Sequence, residues 1–252
     1  MPESPMKLDS KSTSDAKHLQ AAHEREESNA LSHPVISPIL EKDAARRTQV
    51  LNWLKSNVPE KRLQHILRVE AMSVKLAKHH GLDVEQAAQA GLMHDLAKCF
   101  KPQQLLQLAI AEGIAIDAVF ASNPHLLHAD VGAIVARDEF GVQDEAVLEA
   151  IRNHTLGSVG MSHLSCVVFL ADSLEPGRGD SLELQALREV CWQNLQQAVW
   201  LTSEYTLKYL LESKTLIHPR VLTTRNWAMQ AVTQPSKLSS AGRCALNLEE
   251  SR

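Results

Sequence analysis

The chain has 252 residues, 44% of them hydrophobic and only 4% aromatic, with a formal net charge of -4. That supports one domain of ordinary size with a true core, built from helices rather than sheet. It excludes a global basic signature for nucleic acid, and no run approaches the ~18 apolar residues of a membrane span. The opening MPESPMKLDSKSTSDAK lacks the apolar stretch of a signal peptide. Cys99, Cys166, Cys191 and Cys244 are scattered without paired spacing, which argues against a zinc knuckle or a disulfide framework. A cytoplasmic protein is expected.

Residues 1–43 are polar, with no sustained apolar stripe, and predict an extension of low order. Helical periodicity begins near Asp43 in DAARRTQVLNWLKSNV. After a turn at Pro59 it resumes as KRLQHILRVEAMSVKLAKHHG, closed by Gly81. Asp83 is placed to cap a helix reading DVEQAAQAGLMHDLAK. After Pro102 shorter helices follow in QQLLQLAIAEG and PHLLHADVGAIVARDEFG; Asp144 starts DEAVLEAIRNHT, and Ser162 caps SHLSCVVFLADSLEPG. Ser181 to Lys214 is helical over most of its length, and HPRVLTTRNWAMQ adds one more helix. Residues 231–252 turn polar and read as a flexible tail. The expectation is an all-α single bundle over residues 44–230.

Twelve histidines are too many to share one role, so their helical positions sort them. Those at 18, 23 and 33 fall in the polar extension, and His79 and His80 sit where a helix C-terminus favours positive charge. His65 leads an apolar stripe through Val69, Met72 and Leu76. His94 lies on a face shared with Ala87, Ala90 and Gly91, and Asp95 on one with Ala88, Gly91 and Leu92; His128 aligns with Val131 and Val135, and His154 with Val147 and Ile151. Asp172 ends the apolar run CVVFLAD. A single buried histidine is more often a hydrogen-bonded core residue than a ligand. Six imidazoles and carboxylates on inner helix faces call for a shared cause, and a divalent metal centre supplies one.

The ordered set His65, His94-Asp95, His128, His154, Asp172 resembles the HD-domain phosphohydrolase superfamily. The phrases RLQHILRVEAMSVKLAKHHG, AGLMHDLAKCF, LLHADVGAIVARDEFGVQDEAVLEAIRNHTLG, MSHLSCVVFLADSLEPGR and LKYLLESKTLIHPRVLTTRN are similar to its YqeK family of symmetrical diadenosine tetraphosphate hydrolases. The resemblance implies an α-helical fold and a divalent transition metal, iron foremost, with manganese or cobalt as alternatives. It implies cleavage of a dinucleoside polyphosphate to two ADP. By position, His65, His94, Asp95 and Asp172 would hold the metal, with His94 and Asp95 central to catalysis. His128 and His154 would bind a second metal bridged through Asp95 or touch the phosphates. Arg62, Lys98 and Arg178 are candidates to neutralise phosphate, and Thr155 and Gly157 could offer a hydroxyl and backbone N–H groups. Ile217 and His218, in TLIHPRV, match a family phrase near the nucleotide. Asn153 stands where the family often has tyrosine, Ala129 where it has glycine, and GRGD replaces a shorter GRD. Other HD-type phosphohydrolase or phosphodiesterase activities, a nucleotide-binding regulator without turnover and a purely structural bundle are the competing readings. Monomer and homodimer both stay open.

Overall fold

The structure, a computed structural model, describes residues 38–234, with side chains from Ala45 onward. The expected extension before residue 38 and the tail after residue 234 lie outside the described residues. The helical bundle and its buried polar cluster belong to the unit that begins at Ala45.

Helix α1 (Pro38–Asn57) starts before the expected Asp43, on a proline, which suits a first helical position because its missing N–H has no partner there anyway. Next come α2 (Glu60–His79), α3 (Val84–Met93), α4 (Pro102–Ala111) and α5 (Ala118–Ser122). A 3-10 turn (Pro124–Leu127) runs into α6 (His128–Asp138), followed by α7 (Glu145–Asn153) and α8 (His163–Leu174). A second 3-10 turn (Pro176–Arg178) leads to α9 (Leu182–Gln193), α10 (Leu195–Glu212) and α11 (Pro219–Thr233). There is no strand among the described residues, and none of their helices is long and apolar enough to cross a membrane.

The capping residues act as expected. Asp83 accepts from the N–H of Glu85 and Gln86, Asp144 from Ala146 and Val147, and Ser162 from Ser165. Gly81 adopts φ +66° beyond α2, a left-handed turn that glycine takes without steric cost. One expectation fails: α3 stops at Met93 instead of continuing to Lys98. The chain there tightens into turns, Leu96 N–H to Met93 O (3.2 Å) and Lys98 N–H to Asp95 O (3.0 Å). Lys98 therefore does not share an α-helical face with His94.

Two apolar clusters form the core. Val50, Leu54, Ile66, Leu96 and Ile151 belong to one. Val69, Leu76, Leu170, Leu174 and Val199 belong to the other. Helix α2 feeds both from adjoining faces, while α8 is buried nearly all round and packs against α2, α3, α7, α9 and α10. His65 on α2 and Asp172 on α8 are thereby carried between the clusters. His79 and His80 reach beyond their own helix, donating from Nε2 to the carbonyls of Trp192 and Cys191 at the end of α9, both at 2.7 Å.

Candidate metal centre

Three histidines are oriented by one local device. His94 and His154 each follow the last residue of a helix, and their Nδ1 atoms sit 2.8 Å from the Gly91 carbonyl and 2.7 Å from the Ile151 carbonyl. His128 opens α6 with Nδ1 2.5 Å from the His125 carbonyl. A carbonyl only accepts, so each Nδ1 carries the proton and each Nε2 of a neutral ring carries a lone pair. His65 differs: its Nδ1 lies 3.0 Å from a carboxylate oxygen of Glu175.

The four Nε2 atoms converge on Asp95 and Asp172. His65 Nε2 is 3.0 Å from Asp172 Oδ1; His94 Nε2 is 3.5 Å from Asp95 Oδ2 and 3.8 Å from Asp172 Oδ1. His128 and His154 Nε2 lie 3.4 and 3.7 Å from Asp95 Oδ1, and 3.1 Å from each other. All but Asp172 are buried, and the Nε2 atoms of His65 and His94 make no hydrogen bond of sound geometry. Such orphaned nitrogens beside buried carboxylates are costly unless a cation joins them. One donor atom from each of His65, His94 and Asp172, or from each of His94, Asp95 and His154, lies within 4.8 Å of the others in its set. The donor set fits a divalent cation with nitrogen and oxygen ligands.

Both carboxylates of the cluster are held ionised. Burial raises the Asp95 carboxyl, but the His94, His128 and His154 rings packed against it overcome that and hold the group well below the usual range. Asp172 is depressed likewise, with the His65 imidazole 3.0 Å away the largest of the influences that outweigh burial. Burial pulls His94 down, yet the Asp95 carboxylate leaves it raised. Burial, reinforced by His154 and Lys98, pushes His128 down to about 4, so it is neutral near pH 7 and keeps its lone pair.

The expected phosphate contacts are arranged less simply. Arg62 Nη1 donates to Asp95 Oδ2 (2.8 Å), and Arg178 donates from Nη2 to Asp172 Oδ1 (2.6 Å) and from Nε to the Asp172 carbonyl (2.7 Å). Both arginines thus brace carboxylates of the cluster. Lys98 Nζ stands 3.2 Å from His128 Nε2, and burial lowers its pKa. The Thr155 hydroxyl is 2.9 Å from His154 Nε2 and 3.1 Å from His128 Nε2. The Gly157 N–H, by contrast, is spent on the Asn153 carbonyl at 3.0 Å. His218 caps α11 through Nδ1, its Nε2 lies 3.1 Å from Asp117 Oδ2, and its ring faces Phe120. The half-buried Ile217 packs against the first core cluster. Neither belongs to the His/Asp cluster; Arg220 beside them donates to the Gly157 carbonyl at 3.0 Å and to Asp130.

Beside the cluster opens a pocket of about 710 Å³ with His65 in its wall and five cationic side chains, Lys61, Arg62, Arg68, Lys98 and Arg178. Glu175 is the one carboxylate lining it. Sequence reasoning passed over Arg68 and Glu175. A signal existed, since Arg62, His65 and Arg68 recur at intervals of three on one helix, and Glu175 follows Asp172 at the same interval.

Residues 62–177 match the family model described as HD domain. The chain is 34% identical over 181 residues to a Bacillus subtilis protein named bis(5'-nucleosyl)-tetraphosphatase, symmetrical, covering 72% of this chain and 96% of the relative. It is 37% identical over 157 residues to a Mycoplasma genitalium protein named probable nicotinate-nucleotide adenylyltransferase/Ap4A hydrolase, covering 60% of this chain and 44% of that one. A solved structure from Clostridium acetobutylicum, described as a predicted HD superfamily hydrolase involved in NAD metabolism, superposes with a TM-score of 0.70 at 32% identity, covering 73% of this chain and 96% of that one. Sequence and fold agree, and the chain belongs to the HD-domain hydrolases, among the relatives of the symmetrical bis(5'-nucleosyl)-tetraphosphatases.

Proposed function

We propose that this protein hydrolyses diadenosine tetraphosphate and related dinucleoside polyphosphates symmetrically, giving two ADP. One observation carries the reading: a buried His/Asp cluster fit for a cation borders a pocket whose wall holds five cationic side chains. A chain of four linked phosphates needs that concentration of positive charge, and the family relation supplies the substrate class.

His65, His94, Asp95 and Asp172 would hold the cation, and iron suits mixed imidazole and carboxylate ligands, as manganese and cobalt do. When bound, such a cation activates water for attack on phosphorus and polarises a phosphoryl oxygen. The remaining work falls to the chain's own groups. Arg62 and Arg178, with side chains 33% and 40% exposed, hold the carboxylates from the pocket side and present their other N–H groups to phosphate oxygens. Lys98, half-buried between Asp95 and His128, offsets charge as it builds on the attacked phosphoryl group. Water adds to an inner phosphorus, the bond to the central bridging oxygen breaks, and that oxygen leaves with the second ADP.

Metal-loaded protein incubated with diadenosine tetraphosphate should yield ADP alone, with turnover abolished by a chelator and restored by the metal. Arg178→Ala should raise KM at least tenfold, the order expected for losing a charge-assisted contact of about 1.5–3 kcal/mol. ATP plus AMP as products, or no turnover by metal-replete protein, would refute the assignment.

A further inference from the structure

We propose that Glu175 is the positioning residue for His65, holding its imidazole with the proton on Nδ1 so that Nε2 faces the cation. The inference rests on the proposed metal centre and extends it to a residue outside the ligand set. His94, His128 and His154 are each oriented by a backbone carbonyl, whose place is set by the helix it belongs to. His65 sits in mid-helix, where the carbonyls of its own turn are spent on helical hydrogen bonds, so its orienting acceptor has to come from elsewhere in the fold. That acceptor is Glu175, 1% exposed, with Oε1 3.0 Å from His65 Nδ1.

A carboxylate on a flexible stem orients a ring only if it is itself held. Arg68, one turn after His65, donates to both oxygens of Glu175, and the Gly177 N–H donates to Oε2. The fit is close: a Cβ on Gly177 would fall 2.6 Å from Arg68 Cζ, so a side chain there would displace the guanidinium. Arg188 clamps the same turn without touching the Glu175 carboxylate, donating to the carbonyls of Leu174 and Gly179, both at 2.7 Å, to the Glu175 carbonyl at 3.3 Å and to Asp180 Oδ1 at 3.4 Å. The carboxylate is thus held by three hydrogen bonds from Arg68 and the Gly177 N–H, with its remaining contact on His65. An anionic partner also makes the imidazole a better donor than a neutral carbonyl does.

Arg188 allows the role to be separated from mere support of the turn. Apo protein is compared as wild type, Glu175→Gln, Glu175→Ala and Arg188→Ala at one pH. Mn(II) affinity is read by competition with a chelator, and the His65 tautomer by ¹⁵N NMR. Both Glu175 variants should bind Mn(II) about 10–100-fold more weakly, while Arg188→Ala, though less stable, stays within about twofold of wild type. His65 should lose its Nδ1–H preference in Glu175→Ala alone or in both Glu175 variants, and keep it in Arg188→Ala. Should Glu175→Ala fail to fold, Glu175→Gln, which keeps the side chain's shape, decides the affinity question. Wild-type affinity in Glu175→Gln, or equal loss in Arg188→Ala, overturns the proposal. No nucleotide enters the assay, so a wrong substrate assignment leaves the result intact; a wild type that binds no Mn(II) overturns the metal reading together with this one.

Discussion

Gly91→Ala tests the close approach that brings α2 and α3 together and so sets His65 beside His94. The added methyl would stand 2.9 Å from the Glu70 Cα, 3.0 Å from Ser73 Oγ and 3.2 Å from Ser73 Cβ. In an unobstructed helix the same change would stabilise the protein by about 1 kcal/mol, because alanine loses less backbone entropy than glycine. Overpacking a tight core costs about 1–3 kcal/mol. The nearest obstruction is main chain, which yields only if the helices part, so the second effect wins. A net loss of about 1 kcal/mol is expected, lowering the melting temperature by about 2–4 °C in a domain of this size. The displacement also moves the Gly91 carbonyl that lies 2.8 Å from His94 Nδ1, so Mn(II) affinity should fall with stability. Urea unfolding of the apo protein and a metal titration read the two effects. A variant as stable as wild type would sink the packing argument, and a destabilised one with unchanged affinity would sever its link to His94.

Two other outcomes are expected from side chains outside the cluster. Burial raises all three thiols, pushing Cys166 and Cys191 up to about 12, but only Cys99 among them is exposed, at the pocket wall. Iodoacetamide followed by peptide mass spectrometry should therefore find Cys99 modified and Cys166 and Cys191 spared. ADP should slow the reaction at Cys99, and no protection would place the nucleotide elsewhere. Glu204 joins α10 to α11, accepting from Arg225 and from Trp200 Nε1. Burial raises its pKa, but the Arg225 hydrogen bond overcomes that and leaves the folded value lowered. The folded pKa lies below the unfolded one, so the pair's stabilisation is complete above pH about 4.3 and fades as pH falls through the folded value. Glu204→Gln should cost no more than about 1 kcal/mol at pH 7, given the pair's partial exposure and screening. The gap between variant and wild type should close in acid; one that persists unchanged there would refute the electrostatic account.

Periodicity and capping chemistry made most of the helices legible, including the starts at Asp83, Asp144 and Ser162. These are local matters, settled by which neighbouring N–H a side-chain oxygen can reach. The same reading overran at His94, because an apolar face continues through Leu96 and Ala97 whether the backbone is an α-helix or a run of tighter turns. Arg62 and Arg178 were recognised as charges bound for the site. That they grip Asp95 and Asp172 was not legible, since a charge in a sequence does not name its partner.

The sequence by itself determined the helical character of the described residues and pointed His65, His94, Asp95, His128 and His154 inward, because apolar neighbours at regular spacing mark a buried face even where the helix gives way to a turn. Tertiary structure alone decided which atoms of those residues meet. The proton on each Nδ1 depends on the acceptor beside it, and for His65 that acceptor is 110 positions away along the chain. Burial is a property of one helix face and can be read locally; ligand geometry is set where several helices cross, and only the fold brings Glu175 to His65.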